Sequence, residues 1–528
     1  MRRKYVFVIF YFCFFTFYLA AQPTQEWVAR YERPSGSSGI ANQMALDKVG
    51  NCYVLGNKSS NGGEVILIKY SASGDTLWTR NYPGAANVGV IADSIGNVYI
   101  TGYIGPTFGP YDIYIIKFNT NGIQQWIKTY DTGGSDQSTA ILLDKSGNIC
   151  ISGFGDSESL VLKYNANGDT LWTRKYIETG FRFPARTMDI DIKNNVYIGG
   201  GKVNISNGTQ NYFVTKYDSN GVFKWLNYHS ANGVEVLNKI KVDNNFNLYA
   251  TGRSINGKLL TVKYDSTGSQ QWMVIYEGPG PAGGSATDMG IDNFGNIIIT
   301  GYSSGIGTGN YDYVTIKYNT FGDSLWVKRY NGTGNANDEA YSLDLDDSNN
   351  IYVTGRSINT GVSWDYVTLK YLSNGTHVWT GIYNNQPTNA EDIAYKILLD
   401  RNNNIYVTGT SRGIIGGPSD YLTIKYSQAV GIDPIIASIT DQYQLEQNYP
   451  NPFNPFTNIK YTIFKNNKNV LLKVFDITGK EVEVLVNKKQ NKGTYSVSFN
   501  SGSLASGVYF YKLITEEFTD TKKMILIK

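Results

Sequence analysis

A ten-residue phrase, Asp-x-x-Gly/Asn-Asn-x-(aromatic or aliphatic)-x-x-Gly, recurs eight times, opening at Asp47, Asp93, Asp144, Asp191, Asp243, Asp292, Asp346 and Asp400. A fixed-period repeat confines a chain to architectures in which one supersecondary unit stacks on copies of itself. Between copies stand a Lys-aromatic pair (Lys69-Tyr70, Lys117-Phe118, Lys163-Tyr164, Lys216-Tyr217, Lys263-Tyr264, Lys317-Tyr318, Lys370-Tyr371, Lys425-Tyr426) and a Trp (Trp78, Trp126, Trp172, Trp225, Trp272, Trp326, Trp379). Each unit is about fifty residues long, so roughly 400 of the 528 residues merge into one body.

Within one unit, Ala340 to Asp346, Asn350 to Gly355, Asp365 to Tyr371 and Thr376 to Tyr383 are short runs rich in Val, Ile, Tyr and Thr, separated by Gly, Asn and Asp. They predict four strands, a to d, in an antiparallel meander. Strand alternation puts the Trp and the residue four places on (Tyr82, Tyr130, Tyr176, Tyr276, Tyr330, Tyr383) on one face, as wedges between sheets. Single sheets would leave apolar faces wet, so they stack, and a radial stack closes into a β-propeller; a linear solenoid is the runner-up. The chain ends favour the ring. Trp27 and Tyr31 form a stray strand d ahead of the first strand a, and the last repeat stops at strand c, Tyr426. Pairing Glu26–Tyr31 with Tyr421–Tyr426 would close eight blades.

The repeated Asp stands where a hairpin carboxylate accepts turn amides. Calcium at these Asp/Asn-rich loops is the sharper alternative, without the spacing of an EF-hand loop or a Gly-rich nonapeptide. The eight lysines must reach water or find carboxylates. A carboxylate lies five residues earlier in six units (Glu64, Asp112, Glu158, Asp312, Asp365, Asp420), on the opposite strand face, so any pairing runs between strands or blades. His229, in the place of a Tyr wedge, and His377 lack the neighbours of a triad or zinc site. Cys52 and Cys150 read as buried thiols, and Gly305 to Gly309 leads to a strand, so it is no phosphate cradle. No cofactor or metal is expected.

Arg2, Arg3 and Lys4, the apolar run Tyr5 to Leu19, and Ala20-Ala21 have the layout of a cleavable secretory signal over residues 1–21, with cleavage between Ala21 and Gln22. The run is too short for a bilayer span, and no later stretch is long enough, so no transmembrane span is expected in the mature chain. Losing the leader lowers the formal charge from +3 to about zero, which argues against nucleic acid as a partner.

The a-to-b and c-to-d connections are uniform, with a constant aromatic-Gly-Trp spacing (Tyr70, Gly74, Trp78), whereas b-to-c and d-to-a connections vary in length. In a propeller the variable loops share one face, the arrangement by which a scaffold carries recognition. On it, Phe108, Tyr111, Phe181, Phe183, Tyr311 and Trp364 are the candidate ligand contacts, for sugar stacking or a protein partner. A non-enzymatic binding or adhesion module is the leading expectation. A polysaccharide lyase or glycoside hydrolase is the rival, with Asp156 and Glu178 as a pair that folding would have to unite, and a structural surface-matrix component is the third.

Strings such as NIYVTG with DYVTLKY resemble the bacterial SBBP β-propeller repeats, usually described as seven-bladed, over residues 26–426; the eighth copy departs from that number. After a linker at 427–442, residues 443–528 carry further strand runs that predict a small β-sandwich, with prolines at its lead-in. They include Asn448-Tyr449-Pro450-Asn451-Pro452-Phe453-Asn454-Pro455, Asp476-Ile477-Thr478-Gly479-Lys480, Ala505-Ser506-Gly507-Val508-Tyr509 and Lys522-Lys523-Met524. This segment closely resembles the C-terminal sorting domain of the type IX secretion system of Bacteroidota. The resemblance implies export to the periplasm by the leader, reading of the tail by the outer-membrane machinery, and removal of the tail as the cargo is released or anchored.

Overall fold

In a computed structural model, the described residues are 22–428 and 443–527, except 33–37, 60–62, 84, 107–109, 230–232, 282, 306–308, 360–362, 386–389, 449, 467 and 503. The leader with Ala21, linker residues 429–442, Phe108, residues 306–308 and Tyr449 lie outside them. Every regular element among them is a strand. The chain divides into a compact unit spanning Gln22–Gln428 and a second that contains the described residues after it.

The first unit holds eight antiparallel sheets among the described residues, each built on four strands. A typical sheet runs Glu339–Leu345, Ile351–Ser357, Asp365–Tyr371 and His377–Tyr383, as the alternation predicts. One sheet adds a two-residue strand, Phe181–Arg182, beside Val196–Asn204. The last sheet takes three strands from residues 392–427 and its fourth from Thr24–Tyr31, with Tyr31 opposite Tyr421 and Trp27 opposite Lys425. Glu26 to Lys425 (2.7 Å) and Arg30 to Asp420 (3.1 Å) flank that pairing.

Every part of the repeated phrase has a local cause. The Asp caps the a-to-b hairpin: Asp47 Oδ1 accepts the N–H of Val49 and Asn51, and Oδ2 accepts Asn51 Nδ2–H and the Tyr53 hydroxyl. Six units place a Tyr six residues after the Asp, as in Tyr53. In the other two the position is Cys150 or Ile298, and the strand-c lysine takes over, Lys163 on Asp144 and Lys317 on Asp292, both at 2.8 Å. The fifth hairpin breaks the Gly/Asn pattern, because Phe246 occupies the left-handed position at φ 66°.

The Gly that ends the phrase answers to a bulge in strand a. All eight strands a carry one, such as Asn42 between Ala41 and Gln43. The bulge drives a strand-a carbonyl into the space of a strand-b side chain. A Cβ at Gly102 would lie 1.8 Å from Ala86 O and one at Gly409 1.9 Å from Ile393 O.

Neighbouring sheets are joined by one repeated staple. Trp78 Nε1 and Lys69 Nζ both donate to Thr120 O in the c-to-d turn of the next sheet (3.1 and 3.0 Å). Trp126 with Lys117 meets Ala166 O, Trp272 with Lys263 meets Thr320 O, and Trp27 with Lys425 meets Ala72 O. The last of these links the sheet that contains Thr24–Tyr31 to the sheet of residues 38–83. Most staple lysines therefore rest on carbonyls and Tyr faces (Lys69 over Tyr53 at 5.1 Å), not on carboxylates. Several carboxylates five residues earlier pair with other cations: Glu64 with Lys58, Glu158 with Lys175, Asp312 with Arg329.

The constant aromatic-Gly-Trp spacing follows from the staple. The turn glycine is left-handed and lies flat on the preceding sheet's Trp, and a Cβ at Gly268 (φ +88°) would be 2.7 Å from the Trp225 ring. Gly268→Ala is expected to cost about 2 kcal/mol in denaturant unfolding. Gly147→Ala, with φ +78° and nothing near its Cβ, should cost only about 1 kcal/mol. Equal losses at the two sites would remove the Trp contact as the cause of the spacing.

The second unit packs the sheet Gln444–Leu445, Phe456–Ile463, Gly493–Asn500 and the sheet Glu481–Gln490, Lys468–Phe475, Gly507–Ile514, Thr519–Leu526 around one apolar core. The Asn-Pro-Phe-Asn-Pro segment is laced to the last strand: Phe453 N–H donates to Ile525 O, Ile527 N–H to Phe453 O, and Ile525 N–H to Asn451 Oδ1. Phe453 and Asn448 are buried, whereas Pro450, Pro452, Asn454 and Lys523 are exposed. Asn448 Nδ2 donates to Pro450 O and Thr457 Oγ1, and the Tyr509 hydroxyl to Ala505 O. Gly479 makes a left-handed turn.

Candidate functional site

The eight strand-a bulges determine what faces the middle of the first unit, because a bulge re-aims one side chain out of the strand's alternation. The bulge residues are Asn42, Val88, Thr139, Arg186, Asn238, Thr287, Tyr341 and Tyr395, and all eight line one cavity of about 580 Å³. Each stands five residues before the phrase's Asp, a signal the sequence carried. Alternation counting missed it, since the bulge breaks the period of two on which such counting rests. In a chain of near-identical repeats these positions share no residue type across all eight copies.

Beneath the bulge residues the cavity meets a second of equal volume at Lys239, Asp288, Lys396 and Leu398. Asp288 lies 3.3 Å from Lys239 and 3.9 Å from Lys396, and accepts the Ser342 hydroxyl and the N–H of Leu343. Burial alone would raise its carboxyl, but Lys239, Lys396 and the N–H donors outweigh it and hold the group well below the usual range. Burial lowers Lys396, which shares its nearest carboxylate, Asp288, with Lys239 and has Asp344 beyond it. The second cavity adds Asp189 and Asp344, whose oxygens accept the N–H of Val242 and of Leu345 and Leu399.

On the rim, Tyr341 and Tyr395 stack with centroids 5.7 Å apart and planes 21° from parallel. Tyr341 donates to Glu339, which pairs with Arg356, whose guanidinium lies 3.8 Å above the Trp364 ring. Trp364 thus connects to the cavity mouth. Tyr311 packs on Tyr302 and Tyr111 on Tyr103. The backbone carbonyls of Tyr111, Tyr311 and Trp364 accept the N–H of Asp136, Asp338 and Asp392 from the next sheet, so these residues also anchor d-to-a loops.

Phe181 and Phe183 have different surroundings from those expected of loop aromatics. Phe183 is fully buried against Tyr176 and Phe213, because Phe181–Arg182 pairs with Val203–Asn204 and folds the segment over the sheet end. Both rings hold the Lys202 ammonium, 4.1 Å from Phe181 and 5.7 Å from Phe183, with Glu178 at 2.9 Å. Glu178 is therefore paired with Lys202, while Asp156 meets Ser135 N–H, and the two carboxylates take different partners. His229 pairs with buried Glu235 at 3.0 Å. Among the described residues no group of three or more His, Cys, Asp or Glu is arranged to hold a metal ion. Cys52 and Cys150 are buried and free. No helix of the described residues is long and apolar enough to cross a membrane.

The loop acids give the unit a pH dependence. Burial pushes the Asp338 and Asp392 carboxyls up to about 6, above the ordinary value near 4. A raised folded-state value means stability present at low pH and lost as pH rises through about 6. His229, raised by Glu235, acts in the same direction. The depressed Asp288 contributes a constant amount above pH 5. The melting temperature of the first unit is expected to be higher at pH 5 than at 7.5, and Asp338→Asn with Asp392→Asn should flatten that slope.

Comparison with known proteins bears on both units. Residues 447–528 match the Secretion system C-terminal sorting domain family, and residues 325–361 and 388–416 match the Beta-propeller repeat family, SBBP. No protein of curated function matches the sequence. Among solved structures, similarity extends to PorZ, an essential bacterial surface component of the type-IX secretion system of Porphyromonas gingivalis (13% identity, 92% of this chain and 70% of that one, TM-score 0.29). It extends also to Sqt1 from Chaetomium thermophilum (7%, 77% and 100%, 0.49) and the BP39L lectin from Burkholderia pseudomallei (11%, 67% and 99%, 0.43). With TM-scores below 0.5, none of these bears on what this chain does. The chain joins SBBP β-propeller repeats to a type IX secretion C-terminal sorting domain, the make-up of a protein secreted or displayed at the outer-membrane surface.

Proposed function

We propose that this protein is an eight-bladed β-propeller, closed by its N-terminal strand over residues 22–426, that acts as a non-enzymatic binding or adhesion module for a surface glycan or protein. In this reading a leader cleaved between Ala21 and Gln22 takes the chain to the periplasm. The 443–528 sandwich, reached through the 427–442 linker, hands it to the type IX machinery. The contrast between two sets of repeated positions carries the binding role. The Trp, Lys and Gly of the staple recur from sheet to sheet, while the bulge residues at the cavity mouth differ, which is how a scaffold separates stability from recognition. Tyr111, Tyr311 and Trp364 extend the contact surface on the same side, and Phe108, the further candidate contact, lies outside the described residues.

Two measurements test it. A glycan and polysaccharide panel incubated with the chain should show retention without cleavage; cleavage would turn the reading to the lyase or hydrolase alternative. Deleting Gln447 to Lys528 should abolish surface delivery while leaving the protein in the periplasm, and undiminished delivery would remove the sorting role.

A further inference from the structure

Resting on that reading, the cavity's chemistry names a ligand class. The charged groups lining it are Arg186, Lys239, Lys396 and a single carboxylate, Asp288, which both lysines share. Arg186 is exposed, and no ion pair or hydrogen bond to another described residue engages its guanidinium. The nearby Glu339 is committed to Arg356 and the Tyr341 hydroxyl at 3.0 and 2.6 Å. Asp189 and Asp344, with the hairpin-capping Asp191, Asp243 and Asp292, belong to the cavity beneath and accept backbone N–H groups there. The cavity mouth is therefore short of negative charge, and a guanidinium is the side chain best shaped to grip an oxyanion through two parallel N–H bonds.

The rest of the lining suits a sugar. Tyr341 and Tyr395 offer a stacked aromatic edge, and Gln43 brings an amide into the same layers, beside Asn42, Asn238 and Thr139, which bond Asn87, Ser285 with Ala286, and Ser152 in turn. A volume of about 580 Å³ holds a small ligand, not a folded partner. Lys239, Asp288 and Lys396, from three different sheets, meet where the two cavities join, so a ligand has a charged floor to abut.

We propose that the cavity at the strand-a bulges binds an anionic sugar unit at the end of an oligosaccharide, its carboxylate or sulfate on Arg186 over the Lys239–Asp288–Lys396 floor and its ring beside Tyr341 and Tyr395. The test is calorimetric titration of the full chain with tetragalacturonate, its methyl ester, a sulfated galactan tetrasaccharide and neutral galactotetraose. At least one anionic probe is expected to bind about tenfold or more tighter than the ester and the neutral sugar, and the two anionic arms identify the oxyanion. Arg186→Gln should erase about tenfold of that preference without moving the melting temperature, since the residue is exposed. Equal binding of charged and neutral probes, indifference to Arg186→Gln, or preference for a peptide through its terminal carboxylate overturns the proposal. Retention of a neutral glycan or a protein alone would overturn it while leaving the binding module intact. Silence toward every glycan and protein tested would bring down both.

Discussion

Deleting Thr24–Tyr31 is expected to abolish cooperative folding of the first unit, leaving a chain that aggregates. The strand supplies the whole outer edge of the last sheet, from Thr24 opposite Ser427 to Tyr31 opposite Tyr421. Without it the strand Ser419–Ser427 is left as an unpaired edge, a template for intermolecular pairing. The Trp27 and Glu26 contacts with Ala72 and Lys425 vanish as well, and the aromatic contacts of Trp27 with Tyr70 and Tyr406 become solvent-exposed. With Val28, Trp27 and Tyr31 removed from the apolar clusters, the loss is on the order of 5 kcal/mol or more. Size-exclusion chromatography and thermal melting report it, and a peptide of residues 22–32 added in trans should recover part of the melt by strand addition. A deletion variant that melts like the parent would show that the seam contributes nothing.

Lys163→Met is expected to cost about 3 kcal/mol, as is Lys317→Met at the matching Asp292 pair, against about 1 kcal/mol for Lys117→Met. Lys117 and Lys163 meet the Ala166 and Ser219 carbonyls, but their surroundings differ. Tyr99 supplies the hydroxyl on Asp93, whereas Cys150 leaves Asp144 to Lys163, and that pair has side chains only 3% and 0% exposed. Removing one partner strands a buried charge, and that cost exceeds the value of the bond itself. Asp144→Asn in the Lys163→Met background should therefore restore most of the loss in denaturant unfolding. Equal costs at Lys163 and Lys117 would show that the tyrosine and lysine arrangements are interchangeable.

The repeat made the sheets, the strand order within them and the partner strand for Tyr421–Tyr426 legible, because hydrophobic alternation and turn residues act locally. The hairpin function of Asp47 and its copies was equally local. What stayed hidden depended on neighbours. Alternation leaves Lys69 to water or a carboxylate, whereas its ammonium donates to Thr120 O, a carbonyl some fifty positions away in sequence. Gly102 was legible as the repeated end of the phrase but not for its cause, the Ala86 carbonyl displaced by a bulge on the adjacent strand. The same bulge hid the cavity: Arg186, Tyr341 and Tyr395 read as ordinary strand residues until the extra residue turns them inward. Phe183 was legible as a loop aromatic but not as core, since its burial comes from a two-residue strand too short to leave a pattern.

Spacing the eight inward positions one per repeat, clear of every Trp-Lys-Gly joint, gives the molecule a combination lock with a fixed casing. Exchanging Val88 or Arg186 touches neither hairpin caps nor sheet junctions, whereas Asn42 and Thr287 also bond Asn87 and the Ala340 carbonyl of the next sheet, so relatives that differ only at the first two would share one fold while sorting their targets independently. A library randomised at Val88 and Arg186 would test how far selectivity can travel on an unaltered frame.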